Sequence, residues 1–254
     1  SLANVDGLIS LETLNGGLSI SQNPSLAHLD GLYNLTELNG PLEISNNGEL
    51  LNVDGLYNLT NIIGELAISD NGALLNLDGL QNLQSIEGSL SIMYNHELTD
   101  LDGLNNLNLI LGSVEISHNN MLVNIDGLGA VVDIGGFIKI NSNPELLNIT
   151  GFLGLSVVNG NLIISNNDNL VDISGLWNVI QINGNLEIKN NDLLEELYGL
   201  DNVTSIDGTL TLDGNETLGD MEAIENLTDV DNDIEISNNT NLCQSLIDDF
   251  VDNM

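Results

Sequence analysis

Arginine is absent from this chain of 254 residues, and lysine occurs twice, as Lys139 and Lys189. Against those two bases stand 38 acids, for a formal net charge of -36. A nucleic-acid partner needs a cationic surface that displaces counterions from phosphate, so that class is excluded. Binding to an anionic membrane surface is excluded on the same ground. No run of about 18 apolar residues occurs, so no membrane-spanning helix is expected. One cysteine, Cys243, permits no internal disulfide and no cysteine cage for a metal. The segment opens at Ser1 without a charged-then-apolar leader, which places any signal peptide outside it. A hydrophobic content of 42% is too high for a disordered acidic tail, and the length suffices for a buried core.

What the chain does contain is a period. Glycine recurs every 24 residues from Gly7 to Gly199, and again from Gly16 to Gly208. Asparagine recurs at the same interval as Asn23, Asn47, Asn71, Asn95, Asn119, Asn143, Asn167, Asn191, Asn215 and Asn239. Such regularity identifies a solenoid of about ten 24-residue rungs. Within one repeat, Leu42-Glu43-Ile44-Ser45 alternates apolar and polar side chains, as a strand with one buried face does. Afterwards the inward positions fall in threes, at Asn47, Leu50, Val53, Leu56, Leu59 and Ile62. A helix needs gaps of three and four in alternation, so this spacing argues for a repeatedly turning coil. Ten stacked rungs at about 4.8 Å make a rod of roughly 48 Å. After Leu242 the pattern stops, and Leu242, Leu246, Ile247, Phe250 and Val251 take helical spacing. The expected organisation is therefore one solenoid over 1–242 and a short helical cap over 243–254, that apolar face covering the last rung. No equivalent cap is visible at the other end, so either a cap or a further domain is expected before Ser1, or this end is expected to dock onto a partner.

The series Leu38-Gly40-Leu42-Ile44-Asn47-Leu50-Val53-Leu56-Leu59, with Ile62 opening the next copy, resembles the receptor L domain repeat, a relative of the leucine-rich repeat. The D-G-L-x-N-L form is similar to that of bacterial surface proteins with long arrays of this repeat. The resemblance covers about residues 2–242. It implies an all-β, right-handed β-solenoid and a binding scaffold, as in the ligand-binding domains of growth-factor-type receptors. Fold alone does not name a ligand.

Several polar series are candidate sites. The asparagine ladder is read as structural, each amide bonding backbone at a bend and its neighbours above and below. Asp6, Asp30, Asp54, Asp78, Asp102 and Asp126 each precede a glycine, but the series continues as Thr150 and Ser174. Those residues keep an oxygen that caps a turn and lose the charge calcium requires, which favours a capping role. The best calcium candidate is Asp229, Asp231 and Asp233, in a D-x-D-x-D spacing that lacks the following glycine and glutamate of a calcium loop. No other cofactor is expected. His96 and His118 are expected on adjacent rungs, close enough to approach one another. Asn34, Asn58, Asn148 and Asn202 fit the glycosylation acceptor pattern, which the N-L-T consensus of the repeat itself generates. Cys243 aligns with Leu51, Leu75 and Val123 and is expected beneath the cap. Outward strand positions such as Glu43, Ser45, Glu115, Lys139 and Lys189 are too charged and too mixed for an ice-binding array.

A break in the pattern marks the most promising surface. The outward three-step positions are polar in early rungs, as in Asn34, Thr36, Asn58, Thr60, Asn82 and Gln84. From the fifth rung to the seventh they turn apolar. Val132, Leu153, Val157, Trp177 and Ile180 are predicted to point away from the core, with Tyr198 one rung beyond. An apolar patch on so anionic a surface suits a contact site.

Function follows by elimination. Lyase chemistry needs a strong base, and the two lysines lie 50 residues apart in sequence. Hydrolysis needs two carboxylates in a cleft, and a period without insertions builds no cleft. No nucleophile triad, zinc helix, phosphate loop or dinucleotide fingerprint occurs. The expectation is a non-catalytic recognition or adhesion module, extracellular or at the cell surface, that binds a protein or glycan. The alternative is a structural rod or spacer in a fibre or surface layer, with an ice-facing side or self-association through the N-terminal rung.

Overall fold

The computed structural model describes residues 2–253. Ten four-residue strands, from Leu18–Ser21 through Leu42–Ser45 to Ile234–Ser237, pair in chain order into one parallel sheet. Register is strict, each residue facing the one 24 positions later, as in Leu42 with Leu66 and Ile44 with Ile68. Numbering the rungs by these strands, rung five opens at Val114 and rung eight at Leu186.

The three-step spacing has a local cause. Nine single-turn 3-10 helices occur among the described residues, from Asp6–Leu8 to Glu222–Ile224. A 3-10 turn holds three residues, so side chains three apart eclipse and point the same way. Leu50, Val53, Leu56, Leu59 and Ile62 are accordingly all fully buried. Rung eight has no 3-10 turn at the corresponding place. There Tyr198 takes the aspartate position, and Gly199 adopts φ +117°.

Sequence periodicity misses one element. Each rung also makes a two-residue strand, such as Glu37–Leu38 or Asn61–Ile62, and two residues are too few to display alternation. These pair into two separate parallel sheets, one from Thr13–Leu14 to Asp133–Ile134 and one from Val157–Val158 to Asp229–Val230. The interruption falls between rungs five and six. Phe152 fills the core there in place of the leucine of neighbouring rungs and is fully buried.

Close stacking explains the first glycine series. A Cβ on Gly103 would lie 1.9 Å from the carbonyl oxygen of Leu77 in the rung below. One apolar column runs from Val5 to Leu242. The C-terminal helix, Gln244–Asn253, covers its end only in part. Leu242 is buried and Ile247 and Phe250 pack on the core, whereas Leu246 and Val251 stay exposed. The predicted five-residue face is thus corrected. Ile247 and Phe250 meet the rung, while Leu246 borders an open depression beside Met221, Leu227 and Phe250. Cys243 is exposed as well, against expectation. It begins the helix, its carbonyl accepting the Leu246 N–H at 3.0 Å, and its thiol lies 3.1 Å from the Ser245 hydroxyl. That hydroxyl and the neighbouring backbone hold the thiol pKa below its usual value.

Candidate interaction surface

The asparagine ladder is the internal brace of the molecule. From Asn47 to Asn215 its side chains are completely buried. Asn119 is representative: its Nδ2 donates to the Ile92 carbonyl at 3.0 Å, and its Oδ1 accepts the Asn95 N–H at 3.0 Å. The residue before each ladder asparagine from Asn23 to Asn239 sits in the left-handed region, with φ between 50° and 58° except at Gly214, where it is 71°. Glycine and asparagine suit that conformation. At rungs four and five the position is held by Tyr94 and His118, whose rings stack with centroids 4.4 Å apart. His118 therefore meets Tyr94, 24 residues away, as the strict register dictates.

A second asparagine ladder is also structural. Asn34, Asn58, Asn82, Asn106, Asn178, Asn202 and Asn226 each donate to a carbonyl of the rung below at 2.7 or 2.8 Å. Asn34, Asn58 and Asn202 of the glycosylation pattern thus have their amides engaged, and the Asn148 Oδ1 accepts from Thr150. The recurrence of N in D-G-L-x-N-L was the available signal, hidden because the position looks outward. The ladder breaks at Ala130 and Gly154, in rungs five and six.

The aspartate series does not cap its own turns, which corrects the expectation. The capping oxygen comes from two residues earlier, as Asn52 accepting the Asp54 N–H at 3.2 Å and Asn124 accepting that of Asp126 at 3.1 Å. This leaves Asp30, Asp54, Asp78, Asp102 and Asp126 exposed in a file. Desolvation, then repulsion from Asp78 and Asp30, raises the carboxyl pKa of Asp54. Asp102 is raised by desolvation and then by Asp100, Asp126 and Asp78. Asp229, Asp231 and Asp233 are exposed. No group of three or more histidine, cysteine, aspartate or glutamate side chains converges to hold a metal among the described residues.

On the long sheet, both lysines are occupied. Lys139 pairs with Glu115 at 2.9 Å and Lys189 with Glu187 at 2.7 Å. Several expected outward positions are buried, among them Ser45, Ser117 and Ser165, because longer neighbours cover short side chains. The Ser45 hydroxyl donates to Glu43 at 2.8 Å.

The apolar residues of rungs five to eight lie outside the core. Val132 is 62% exposed, Trp177 38% and Tyr198 49%, with Leu153 and Ile180 also exposed and Val157 half-buried. Trp177 and Tyr198 touch, with ring centroids 5.0 Å apart and planes inclined by 35°. The contact exists because Tyr198 replaces the aspartate of other rungs, above the tryptophan of rung seven. Broken ladder, divided short sheet, missing 3-10 turn and aromatic pair all fall within these four rungs.

Residues 36–129 match the family model of the receptor L domain. The match supports a receptor L domain, leucine-rich-repeat-like assignment. No curated protein matches the chain. Receptor L domains are non-enzymatic ligand-binding domains, typical of extracellular receptor regions. Parallel strands in regular strand-turn units agree with that repeat. The receptor L domain match ends at Gly129, so the irregular rungs six to eight lie beyond it. No helix among the described residues is long and apolar enough to cross a membrane.

Proposed function

We propose that the chain is a non-catalytic recognition or adhesion module, extracellular or at the cell surface, that engages a protein or glycan through rungs five to eight. The observation carrying this reading is the exposed Trp177–Tyr198 pair, on a strongly anionic chain, where the aspartate series gives way to Tyr198 and the 3-10 turn is missing. Exposed apolar side chains that adjoin one another mark contact sites more often than scattered ones do, and tryptophan and tyrosine are favoured binding anchors. A uniform rod has no use for a local departure of this kind.

Trp177 is the only tryptophan, so its fluorescence reports on the surface directly. The isolated protein should show a quencher-accessible emission that shifts when a partner binds. Trp177→Ala should abolish that binding with the circular dichroism spectrum unchanged. A blue-shifted, quencher-inaccessible emission from the isolated chain, or undiminished binding by the variant, would refute the proposal.

A further inference from the structure

One edge of the solenoid carries a row of exposed aliphatic side chains. Leu51, Leu75, Val123, Leu147 and Val171 are between 38% and 51% exposed, and Thr99 is the one polar interruption. Backbone bonds join these positions from rung to rung: Leu75 N–H donates to the Leu51 carbonyl at 3.0 Å, and Val171 to Leu147 at 3.1 Å. The side chains therefore stand side by side in a ridge about 24 Å long, at about 4.8 Å per rung. It is bounded, with Ala27 before it and Glu195 and Gly219 after it. Scattered exposed leucines need no explanation, but an ordered row does.

Carboxylates border the ridge on both sides. Glu49, Glu97 and Glu145 precede it by two residues in alternate rungs, and Asp54, Asp78, Asp102 and Asp126 follow it by three. All are exposed. The two lysines of the chain are committed to Glu115 and Glu187 on the long sheet, so neither neutralises these flanks.

We propose that this ridge docks a basic amphipathic helix of a partner protein, the apolar stripe of the helix lying on the aliphatic row and its lysines or arginines reaching the flanking carboxylates. Charge decides the occupant. A second copy of the chain would bring a net charge of -36 against -36 with no arginine to offset it. A helix with basic residues on both sides of an apolar stripe is the electrostatic complement of this edge, and about 16 residues span 24 Å at about 1.5 Å per residue. The stacked aspartates already repel one another, most evidently around Asp54 and Asp102, so an approaching cation relieves a strain present in the free protein. The row ends beside the aromatic pair, Val171 and Tyr198 lining one depression of about 290 Å³. Its rungs two to six nonetheless lie clear of Trp177.

The test is a titration of the full chain into a fluorescein-labelled peptide of 18 residues, built from leucine and lysine with the leucines on one helical stripe. A scrambled peptide of equal composition and a leucine–glutamate analogue serve as controls. The striped peptide should bind at least tenfold more tightly than the scrambled one, and the acidic analogue should not bind. Leu75→Gln with Leu147→Gln should weaken binding at least tenfold at unchanged melting temperature. If that variant is unstable, Leu51→Thr with Leu75→Thr replaces it, since Thr99 shows that the row accepts threonine. Asp54→Asn, Asp78→Asn and Asp102→Asn together should flatten the salt dependence, while Trp177→Ala should leave peptide affinity unchanged. Equal affinity for the scrambled peptide, or ridge variants that bind as well as the parent, would reduce the attraction to diffuse charge and overturn the proposal. Self-association of the parent chain that the ridge variants lose, seen by sedimentation, would overturn it in favour of a second copy. Loss of peptide binding in Trp177→Ala alone would move the helix to rungs five to eight and overturn it likewise.

Discussion

At the residue scale, stability rests on amides that have no access to water. Asn119→Leu removes the donor to the Ile92 carbonyl and the acceptor of the Asn95 N–H, both in the buried interior. Leaving two buried backbone groups unpaired costs on the order of 2–6 kcal/mol in total. Denaturant unfolding should show a loss in that range, and a change under about 1 kcal/mol would mean that water or a neighbouring amide replaces the side chain. The left-handed position before each ladder asparagine offers the opposite effect. Ser142 holds φ 56° where Asn46, Asn166, Asn190 and Asn238 occupy the same place in other rungs. Asparagine tolerates that region better than serine, so Ser142→Asn should stabilise by roughly 0.5–1 kcal/mol. A lowered melting temperature would contradict this account.

At the scale of one rung, the limiting dimension is the gap between stacked turns. Gly103→Ala puts a methyl group into the carbonyl of Leu77, a backbone atom that cannot rotate aside. The rungs must separate, and the short parallel strands pairing Ser85–Ile86 with Leu109–Ile110 would part with them. Overpacking of this kind costs about 3 kcal/mol or more. Gly129→Ala, by contrast, meets little, its nearest neighbour being the Asp126 carbonyl at 3.1 Å. Paired melting curves should therefore separate the two variants clearly, and equal losses would show that backbone freedom rather than stacking explains the glycines. Departures in rungs six to eight are tolerated because the ten-stranded sheet passes through them unbroken. Surface elements vary there while the core column stays continuous, and this gives a binding surface its irregularity at small structural cost.

Charge is the property of the whole molecule. Two carboxylates about 4.8 Å apart repel by roughly 0.9 kcal/mol even at the dielectric of water, and salt screens the interaction over about 8–10 Å. Asp78→Asn removes a charge with two such neighbours and should stabilise by up to about 1–2 kcal/mol at low salt, the gain shrinking as salt is added. The sign of the pH dependence follows from Asp54 and Asp102, whose folded-state pKa values lie above the ordinary 3.8. The folded protein binds those protons more tightly than the unfolded chain does. Their contribution is greatest below 3.8 and is lost as pH rises through the raised values. Asp213 opposes them, since hydrogen bonds from Ser237 and Asn238 lower its pKa, and its contribution is lost as pH falls through that lowered value. Mild acidification from neutral should thus raise the melting temperature, and less so in Asp54→Asn with Asp102→Asn. A fall in melting temperature over that window, with the double variant following the parent, would show that Asp213 and similar groups dominate.

The repeat, the strand positions, the buried three-step and the asparagine ladder were all legible in the sequence, because a 24-residue period without insertions forces every copy of a residue onto one line. Trp177 and Tyr198 stood out for the same reason, as departures from a consensus that the chain itself supplies. Neighbouring rungs decided the remainder. Which turn oxygen caps which N–H and that His118 meets Tyr94 depend on where the backbone points, which spacing alone does not encode. The exposed file of Leu51, Leu75, Val123, Leu147 and Val171 belongs with these. In sequence each stands directly after a buried leucine of the core, at Leu50, Leu74, Leu122, Leu146 and Leu170, and only the turn of the stacked backbone sends the second residue of each pair to the surface.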